Sequence, residues 1–401
     1  MTDDSGDADE SVEERIPLLH NEGNAASAGI FRVRGAQGAE GAQGAEGAEG
    51  AQGAEGGAWA SGVPKGPRSR ILKVVRPATL PLEPGSRAAT SAWQTSTAPD
   101  HFNYWRREVE AYESGFAASA FADAGIRAPE LLSVQTREDG CVELWLEDVE
   151  GRSGFELSPE RLGRFGYELG VGQAHWAGRV PTRAQLPWLS RRWLNQYLGL
   201  GPGNNVQVSD ADWDAPVAHV WSERTLLALR GLWESRHAVL ATAEALPRTL
   251  CHLDVWPANL IEDAAGTSVL LDWAFVGEGA IGEDPANLII DSVTDGLMDI
   301  GHLPQIVDEV TEGYVRGLKE GRSGGGTAEA GSRVGAEDVR RGIMICAVAK
   351  YSWLGAMVLS TATPESTNTN SYNQDDSAAE TLARITPLAD LLARWAEAVV
   401  R

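Results

Sequence analysis

The spacing of apolar and polar residues changes along the chain, from a strand-like front to a helical remainder. Gly29–Gly35 (GIFRVRG) and Arg68–Pro77 (RSRILKVVRP) contain β-branched and aromatic residues in partial alternation, which predicts two strands. Ala128–Gly151 predicts two further strands around a turn. His101–Phe116, between these pairs, has the pattern of a helix. The front of the chain is therefore expected to form a small, mainly β unit.

After Gly151 the apolar residues recur at roughly helical spacing. The helices predicted there are Pro159–Gly178, Trp188–Leu198, Glu223–Ala245, Val339–Leu359 and Ala378–Val400. A β-rich front and an α-rich back predict an α+β protein with two lobes. We expect a disordered acidic tail at residues 1–19, a small β-rich N-lobe at 20–150 and a larger, mainly helical C-lobe at 151–401.

Between the first two predicted strands lies a low-complexity segment at about residues 36–66, which consists largely of Gly-Ala-Gln and Gly-Ala-Glu triplets. It has too few apolar residues to bury a core, so we interpret it as a disordered insertion. Because strand-like segments flank it, the insertion is expected to be an enlarged hairpin loop within the N-lobe sheet. Such a loop costs little stability, since the entropy of closing a loop grows slowly with its length.

Composition limits the possible partners and compartments. The 401 residues carry a net charge of −23, with 43% hydrophobic and 23% charged residues, which excludes a wholly disordered chain. The acidic balance argues against nucleic acid or an anionic membrane as a partner. We expect a soluble cytoplasmic protein, because the three cysteines are widely spaced, the N-terminus has no apolar core segment and the sequence has no long apolar run.

The segment Thr249–Gly279 contains the polar residues that are most suggestive of chemistry. It predicts a strand, a loop and two short strands, with His252, Asp254 and Asn259 in the loop and Asp272 at the end of the last apolar strand. An aspartate at the end of a buried strand is costly unless a metal or hydrogen-bond donors satisfy it. Phosphoryl transfer needs this set of groups, with one carboxylate to accept a hydroxyl proton and further oxygens to hold magnesium.

The run from His252 to Asn259 (HLDVWPAN), followed by Leu270–Trp273 (LLDW), resembles the aminoglycoside phosphotransferase family, whose relatives include choline kinase and, more distantly, protein kinases. Leu253 stands where that family often has glycine. The resemblance implies that Asp254 is the catalytic base and that Asn259 and Asp272 bind Mg²⁺.

The resemblance also implies roles for two residues beside the catalytic aspartate. His252 would brace the catalytic loop. Gly282–Leu288 resembles the family segment in which an aspartate precedes a helix, and Asp284 would either cap that helix or orient the catalytic loop.

The same resemblance implies an ATP site in the N-lobe. Lys73 would pair with phosphates and with a glutamate of the following helix, for which we prefer Glu108 over Glu110 because Glu108 directly follows the WRR run. The loop Asn24–Gly29 (NAASAG) would cover the nucleotide through Ser27, and the backbone of Glu147 and Val149 would bind adenine.

These expectations predict an ATP- and Mg²⁺-dependent phosphotransferase that acts on a hydroxyl group of a small molecule. Two alternatives stay open, a catalytically silent protein of the same fold that binds or regulates, and a metal-dependent hydrolase that does not need Lys73. Tryptophans of the segment 187–198 and Trp256 could line the substrate pocket, although helical spacing favours a place in the core. The acceptor, the choice of ATP or GTP and the oligomeric state are not specified by the sequence.

Overall fold

A computed structural model describes residues 14–18, 20–34, 69–200, 206–323, 335–361 and 378–399. The predicted insertion at 36–66 and most of the predicted tail lie outside these residues. The tail prediction is wrong for residues 14–17, which form the edge strand of a sheet. This strand is short, and its sequence ERIP contains one β-branched residue, so the sequence pattern did not indicate it.

The strands in the described part of the chain are β1 (Glu14–Pro17), β2 (Ser27–Arg34), β3 (Arg70–Val75), β4 (Ile126–Arg127), β5 (Leu131–Thr136), β6 (Val142–Glu147), β7 (Gly151–Ser153), β8 (Ser190–Arg191), β9 (Arg248–Cys251), β10 (Leu260–Asp263), β11 (Ser268–Leu270) and β12 (Gly277–Ala280).

The α-helices in the same ranges are α1 (Arg87–Thr90), α2 (Arg107–Glu113), α3 (Phe116–Ser119), α4 (Pro159–Trp176), α5 (Trp193–Leu200), α6 (Asp210–Trp213), α7 (Glu223–Glu244), α8 (Glu283–Thr294), α9 (Leu303–Ser323), α10 (Ala336–Lys350), α11 (Leu354–Thr361) and α12 (Ala378–Val399).

One antiparallel sheet of order β1-β2-β3-β6-β5 forms the N-lobe. Strands β2 and β3 pair directly, so residues 35–68 connect two neighbouring antiparallel strands, as predicted for a hairpin insertion. Helix α2 packs beside this sheet, where Val109 is buried with Val75 and Val142. This packing sets α2 against β3 and brings residues of both elements to the same side of the sheet.

The C-lobe is mainly helical and contains two small sheets, of order β4-β11-β10-β7 and β8-β12-β9. The boundary predicted at residues 150 and 151 falls in the short link between β6 and β7. Strand β4 precedes that link but pairs with β11, so the front of the chain also contributes to a C-lobe sheet. The predicted helix at 188–198 is partly wrong, because Ser190 and Arg191 form β8 before α5 begins.

Helices α4 and α9 form the tightest helix pair of the C-lobe. Glycines of one helix face the backbone of the other, so a Cβ atom at Gly170 would lie 2.5 Å from the Tyr314 carbonyl oxygen. Small residues of this kind let two helix backbones approach closely.

The stretch Ala336–Ser360, which spans α10 and most of α11, is apolar throughout much of its length. By length and composition alone it could cross a membrane, yet 83% of its most apolar window is buried inside this fold. Core helices of globular proteins have the same property.

Candidate active site

A cavity of about 540 Å³ lies between the two lobes. The N-lobe sheet and α2 line one side of it with Lys73 and Glu108, and the loop after β9 lines the other with Asp254 and Asn259. Asp272, two residues after β11, also faces this cavity. The structure therefore brings together five of the residues that the sequence predicted, from segments spread over 200 positions of the chain.

Lys73 on β3 is held between two carboxylates. Its Nζ lies 2.6 Å from Oε2 of Glu108 and 2.9 Å from Oδ1 of Asp272. Burial opposes the charge of Lys73, but the carboxylates of Asp272 and Glu108 outweigh it and hold the pKa of the ammonium above its ordinary value. Glu110, the alternative partner, pairs with Arg106 instead. The predicted Lys73–Glu108 pair is thus present and places a permanent positive charge in the cavity.

Asp254 is half-buried in the loop that follows β9. The Nδ2 group of Asn259 donates to its Oδ2 at 2.8 Å and to its backbone carbonyl at 2.9 Å. Burial and the nearby carboxylate of Asp272 raise the pKa of Asp254 to about 7. A carboxyl group with this pKa can exchange a proton near neutral pH, as a general base must.

Asp284, the second residue of α8, fixes the backbone of the loop that contains Asp254. The backbone N–H groups of His252 and Leu253 each donate to its carboxylate at 2.8 Å, and the side chain of Gln173 donates at 2.7 Å. Gly282 is the N-cap of α8, so of the two roles predicted for Asp284 the structure shows loop orientation.

His252 is fully buried beside this loop. Its ring packs edge-on against Trp273, with the ring centroids 5.1 Å apart. Burial lowers its pKa to about 4, which keeps the imidazole neutral at physiological pH. His252 thus packs the start of this loop against the turn that follows Asp272.

Asp272 has a left-handed backbone with φ of 55° and caps the short 3₁₀ turn Trp273–Phe275, where it accepts a hydrogen bond from the Ala274 N–H. Its side chain is one-third exposed towards the cavity. Oxygen atoms of one carboxylate and one carboxamide are suitable ligands for Mg²⁺, which usually keeps few protein ligands beside water and phosphate oxygens. Asp272 and Asn259 are therefore the residues that could hold a magnesium ion in this cavity.

Among the described residues, His, Cys, Asp and Glu do not gather in any group of three that could hold a metal by itself.

The link between the lobes follows β6. Asp148 accepts hydrogen bonds from Arg32 at 2.6 and 3.0 Å and from the Ser69 hydroxyl, while the Glu147 side chain pairs with Arg127 at 2.7 Å. Glu147 and Val149 both line the cavity. The N–H of Glu147 already donates to the Glu130 carbonyl, so it is not available to a base. This leaves the carbonyl of Glu147 and the backbone of Val149 as the groups that could bind adenine.

Ser27 is not placed at the cavity. It begins β2, pairs with Val75, and its hydroxyl accepts a hydrogen bond from the Gly29 N–H. The turn between β1 and β2 lines the cavity with His20, Asn21 and Asn24, so the loop predicted at Asn24–Gly29 reaches the cavity only through its first residue. Recognition of Ile16 and Pro17 as part of a strand would have moved the predicted loop to this position.

The end of the cavity beside Asp254 is aromatic. Trp193 and Tyr197 on α5 stack with ring centroids 4.8 Å apart, and Trp256 and Tyr351 also line this end. Trp193 is 2% exposed, so it belongs to the core and lines the cavity at the same time. For the tryptophans of segment 187–198 the sequence allowed a place in the core or in the lining of a pocket, and Trp193 has both.

The chain has a protein-kinase-like fold, with a small sheet-rich lobe and a mainly helical lobe. The sequence model of the phosphotransferase enzyme family matches residues 103–325, more than half of the chain. The chain therefore belongs to that family. A search of curated protein sequences finds no match to this chain.

Solved structures that match this chain come from several organisms. An aminoglycoside phosphotransferase from Streptomyces rimosus, in complex with ADP and streptomycin, is 14% identical, with a TM-score of 0.39 over 83% of this chain and 92% of that one. Choline kinase from Cryptosporidium parvum is 9% identical, with a TM-score of 0.46 over 95% and 89% of the two chains. Ethanolamine kinase from Plasmodium vivax is 11% identical, with a TM-score of 0.43 over 96% and 83%.

Proposed function

We propose that this protein is an ATP- and Mg²⁺-dependent phosphotransferase that transfers the γ-phosphate to a hydroxyl group of a small molecule. The observation that carries this proposal is the convergence of Lys73, Asp254, Asn259 and Asp272 on one cavity, with Lys73 and Asp272 in contact at 2.9 Å. A cavity of about 540 Å³ has the size of a small-molecule site.

Each of these residues has a physical role in the proposed reaction. Lys73, fixed by Glu108, offers its ammonium to phosphate oxygens. Asp272 and Asn259 would hold the magnesium ion, which when bound neutralises negative charge on the phosphates. Asp254 accepts the proton of the acceptor hydroxyl, and its pKa of about 7 makes it a suitable base at neutral pH. Asp284 keeps the backbone of the Asp254 loop in place.

A cytoplasmic location is part of this proposal. The support for it is that Cys141, Cys251 and Cys346 are buried free thiols, which are usual in a reducing compartment.

The first test measures thermal unfolding with and without Mg²⁺-ATP for the wild type, Asp272→Ala and Asp254→Ala. A ligand at about 100 times its dissociation constant raises the melting temperature of a protein of this size by about 2–4 °C. We expect this shift in the wild type and in Asp254→Ala, and its loss in Asp272→Ala. Asp123→Ala is the matched control, because Asp123 is an exposed carboxylate in the turn Ala122–Ala124.

The second step measures ADP release with a panel of hydroxyl compounds. Asp254→Ala is expected to lower turnover about 10²–10⁴-fold while it still binds nucleotide. A folded wild type that shows no shift at millimolar nucleotide would contradict the proposal. A protein that binds Mg²⁺-ATP but releases no ADP with any acceptor would favour the binding or regulatory alternative.

A further inference from the structure

Lys350, the last residue of α10, is a buried cation that the proposed reaction does not use. The chain has four lysines, and of the three in the described ranges Lys319 is exposed whereas Lys73 and Lys350 line the cavity. Lys350 is only 6% exposed. Lysine is rarely buried to this extent unless other groups compensate its charge, so its surroundings are informative.

Three aromatic rings surround the ammonium group of Lys350. Its Nζ lies 5.2 Å from the ring centroid of Trp193, 5.7 Å from that of Tyr197 and 5.4 Å from that of Tyr351. All three distances are within the range of about 6 Å in which a ring attracts a cation. Oδ2 of Asp291 lies 3.7 Å from Nζ and also accepts a hydrogen bond from the hydroxyl group of Tyr351.

We call the group of Trp193, Tyr197, Tyr351 and Asp291 the aromatic cage. Three rings and a carboxylate around one site are the arrangement by which proteins bind quaternary ammonium ligands. In this protein the cage already holds an ammonium group of the chain itself. The cage lies at the end of the cavity that also contains Asp254.

The carboxylate of the aromatic cage is already paired with a cation. Asp291 is engaged by the ammonium group of Lys350 and by the hydroxyl group of Tyr351. Two like charges about 5 Å apart, at an effective dielectric constant of about 20, repel strongly enough to weaken binding by more than about a hundredfold. An acceptor that brought its own ammonium group to the cage would meet this repulsion.

We therefore propose that Lys350 is a specificity-determining residue that fills the aromatic cage and restricts the acceptor to hydroxyl compounds that are uncharged at this end. The inference rests on the proposed function, because it describes the acceptor of that reaction. The remaining aromatic lining, which includes Trp256 and Phe275, suits an acceptor with an apolar body.

Two small alcohols of nearly equal shape test this proposal. Choline and 3,3-dimethylbutan-1-ol differ only in a quaternary nitrogen that is replaced by carbon. Their binding is measured through the quenching of tryptophan fluorescence, without nucleotide, because Trp193 belongs to the cage. The wild type is expected to bind the neutral alcohol at least about tenfold more tightly than choline.

The substitution Lys350→Met removes the resident charge and leaves Asp291 and three ring faces for a ligand. We expect this variant to bind choline at least about tenfold more tightly than the wild type does. Lys350→Arg keeps a cation in the cage and should resemble the wild type. Lys319→Met makes the same change at an exposed site and should alter neither affinity.

The proposal is overturned if the wild type binds choline as tightly as the neutral alcohol, or if a folded Lys350→Met gains no affinity for choline. Circular dichroism checks the fold, and Lys350→Gln replaces the methionine variant if that one does not fold. Failure of the proposed function is a separate outcome, since it appears as a missing Mg²⁺-ATP shift in the wild type whereas the choline comparison uses no nucleotide.

Discussion

Leu253 has an unfavourable backbone conformation in the loop beside Asp254. Its φ of 70° lies in the left-handed region, which favours glycine. The side chain is fully buried, the N–H donates to Asp284, and the carbonyl accepts from Asn287 at 3.3 Å. Because contacts on both sides hold the residue, leucine can occupy a left-handed position that favours glycine. The strain is compensated by packing and by two hydrogen bonds to α8.

Asp254 illustrates the cost of keeping a functional carboxylate in the cavity. Burial and Asp272 raise its pKa to about 7, far above the value in an unfolded chain. A carboxyl group with a higher pKa in the folded state destabilises the fold fully above about pH 7, and this penalty shrinks as the pH falls towards 4.

We expect Asp254→Asn to stabilise the protein by about 1–2 kcal/mol at pH 8, since it removes a carboxylate that burial disfavours but water partly reaches. The gain should be smaller at pH 5. Urea unfolding at both pH values measures the difference, with Asp123→Asn as the exposed control. Equal stability of Asp254→Asn and wild type at pH 8 would show that the carboxylate carries no such penalty.

The sequence could predict those site residues that lie close together along the chain or belong to one short motif. Asp254 and Asn259 lie in one loop, and Asp272 follows the next apolar strand, so spacing alone indicates them. Trp193 and Lys350 of the cage are more than 150 positions apart. Helical spacing made both look like ordinary helix residues, because only packing between helices brings them together.

At the scale of elements, the contact between α4 and α9 connects the core to the site. Gln173 on α4 donates to Asp284, and its side-chain oxygen accepts from the Tyr314 hydroxyl on α9. The position of the loop that contains Asp254 thus depends on how closely these two helices approach. Glycines at Gly313, Gly317 and Gly321, four residues apart on α9, allow that approach.

Gly317→Ala is expected to destabilise the protein by about 1–3 kcal/mol, because the added Cβ would collide with the Tyr167 carbonyl and separate the helices. Gly231→Ala is the matched control within α7, where nothing lies within 4 Å of the added atom. The control should gain about 0.5–1 kcal/mol from better helix propensity. Chemical unfolding of both variants measures the two effects, and the same sign for both would refute this account.

The sequence pattern predicted the long helices well and the short strands poorly. Helices α4, α7 and α12 were predicted with nearly correct bounds because they are long and periodic. Strands β1 and β8, of four and two residues, were missed because so few positions show no alternation. Such short strands depend on pairing with distant partners, here β2 and β12, and this information is absent from a local window.

At the scale of the whole molecule, deletion of the insertion between β2 and β3 tests whether the stability of the N-lobe sheet depends on this long loop. Deleting residues 36–66 leaves a short connection and keeps Ser69, whose hydroxyl donates to Asp148 in the link between the lobes. We expect a gain of about 2 kcal/mol in the free energy of unfolding, since each halving of a loop recovers about 0.6 kcal/mol.

Urea unfolding measures this gain, and the Mg²⁺-ATP shift of the deletion protein should equal that of the wild type. A Gly-Ser segment of equal length in place of 36–66 is the control and should leave stability near the wild-type value. A deletion protein that folds but no longer responds to Mg²⁺-ATP would show that the insertion takes part in nucleotide binding.

The scarcity of lysine has a chemical consequence for the whole chain. With four lysines in 401 residues, few primary amines compete for a reagent that acylates amino groups. Two of the four, Lys73 and Lys350, are largely buried beside one cavity. The carboxylates beside Lys73 keep it in the charged form, which does not attack an acylating reagent, and Lys350 is shielded by its burial. Such a reagent should therefore spare both amines while the protein is folded, so that their modification reports the opening of the cavity on unfolding.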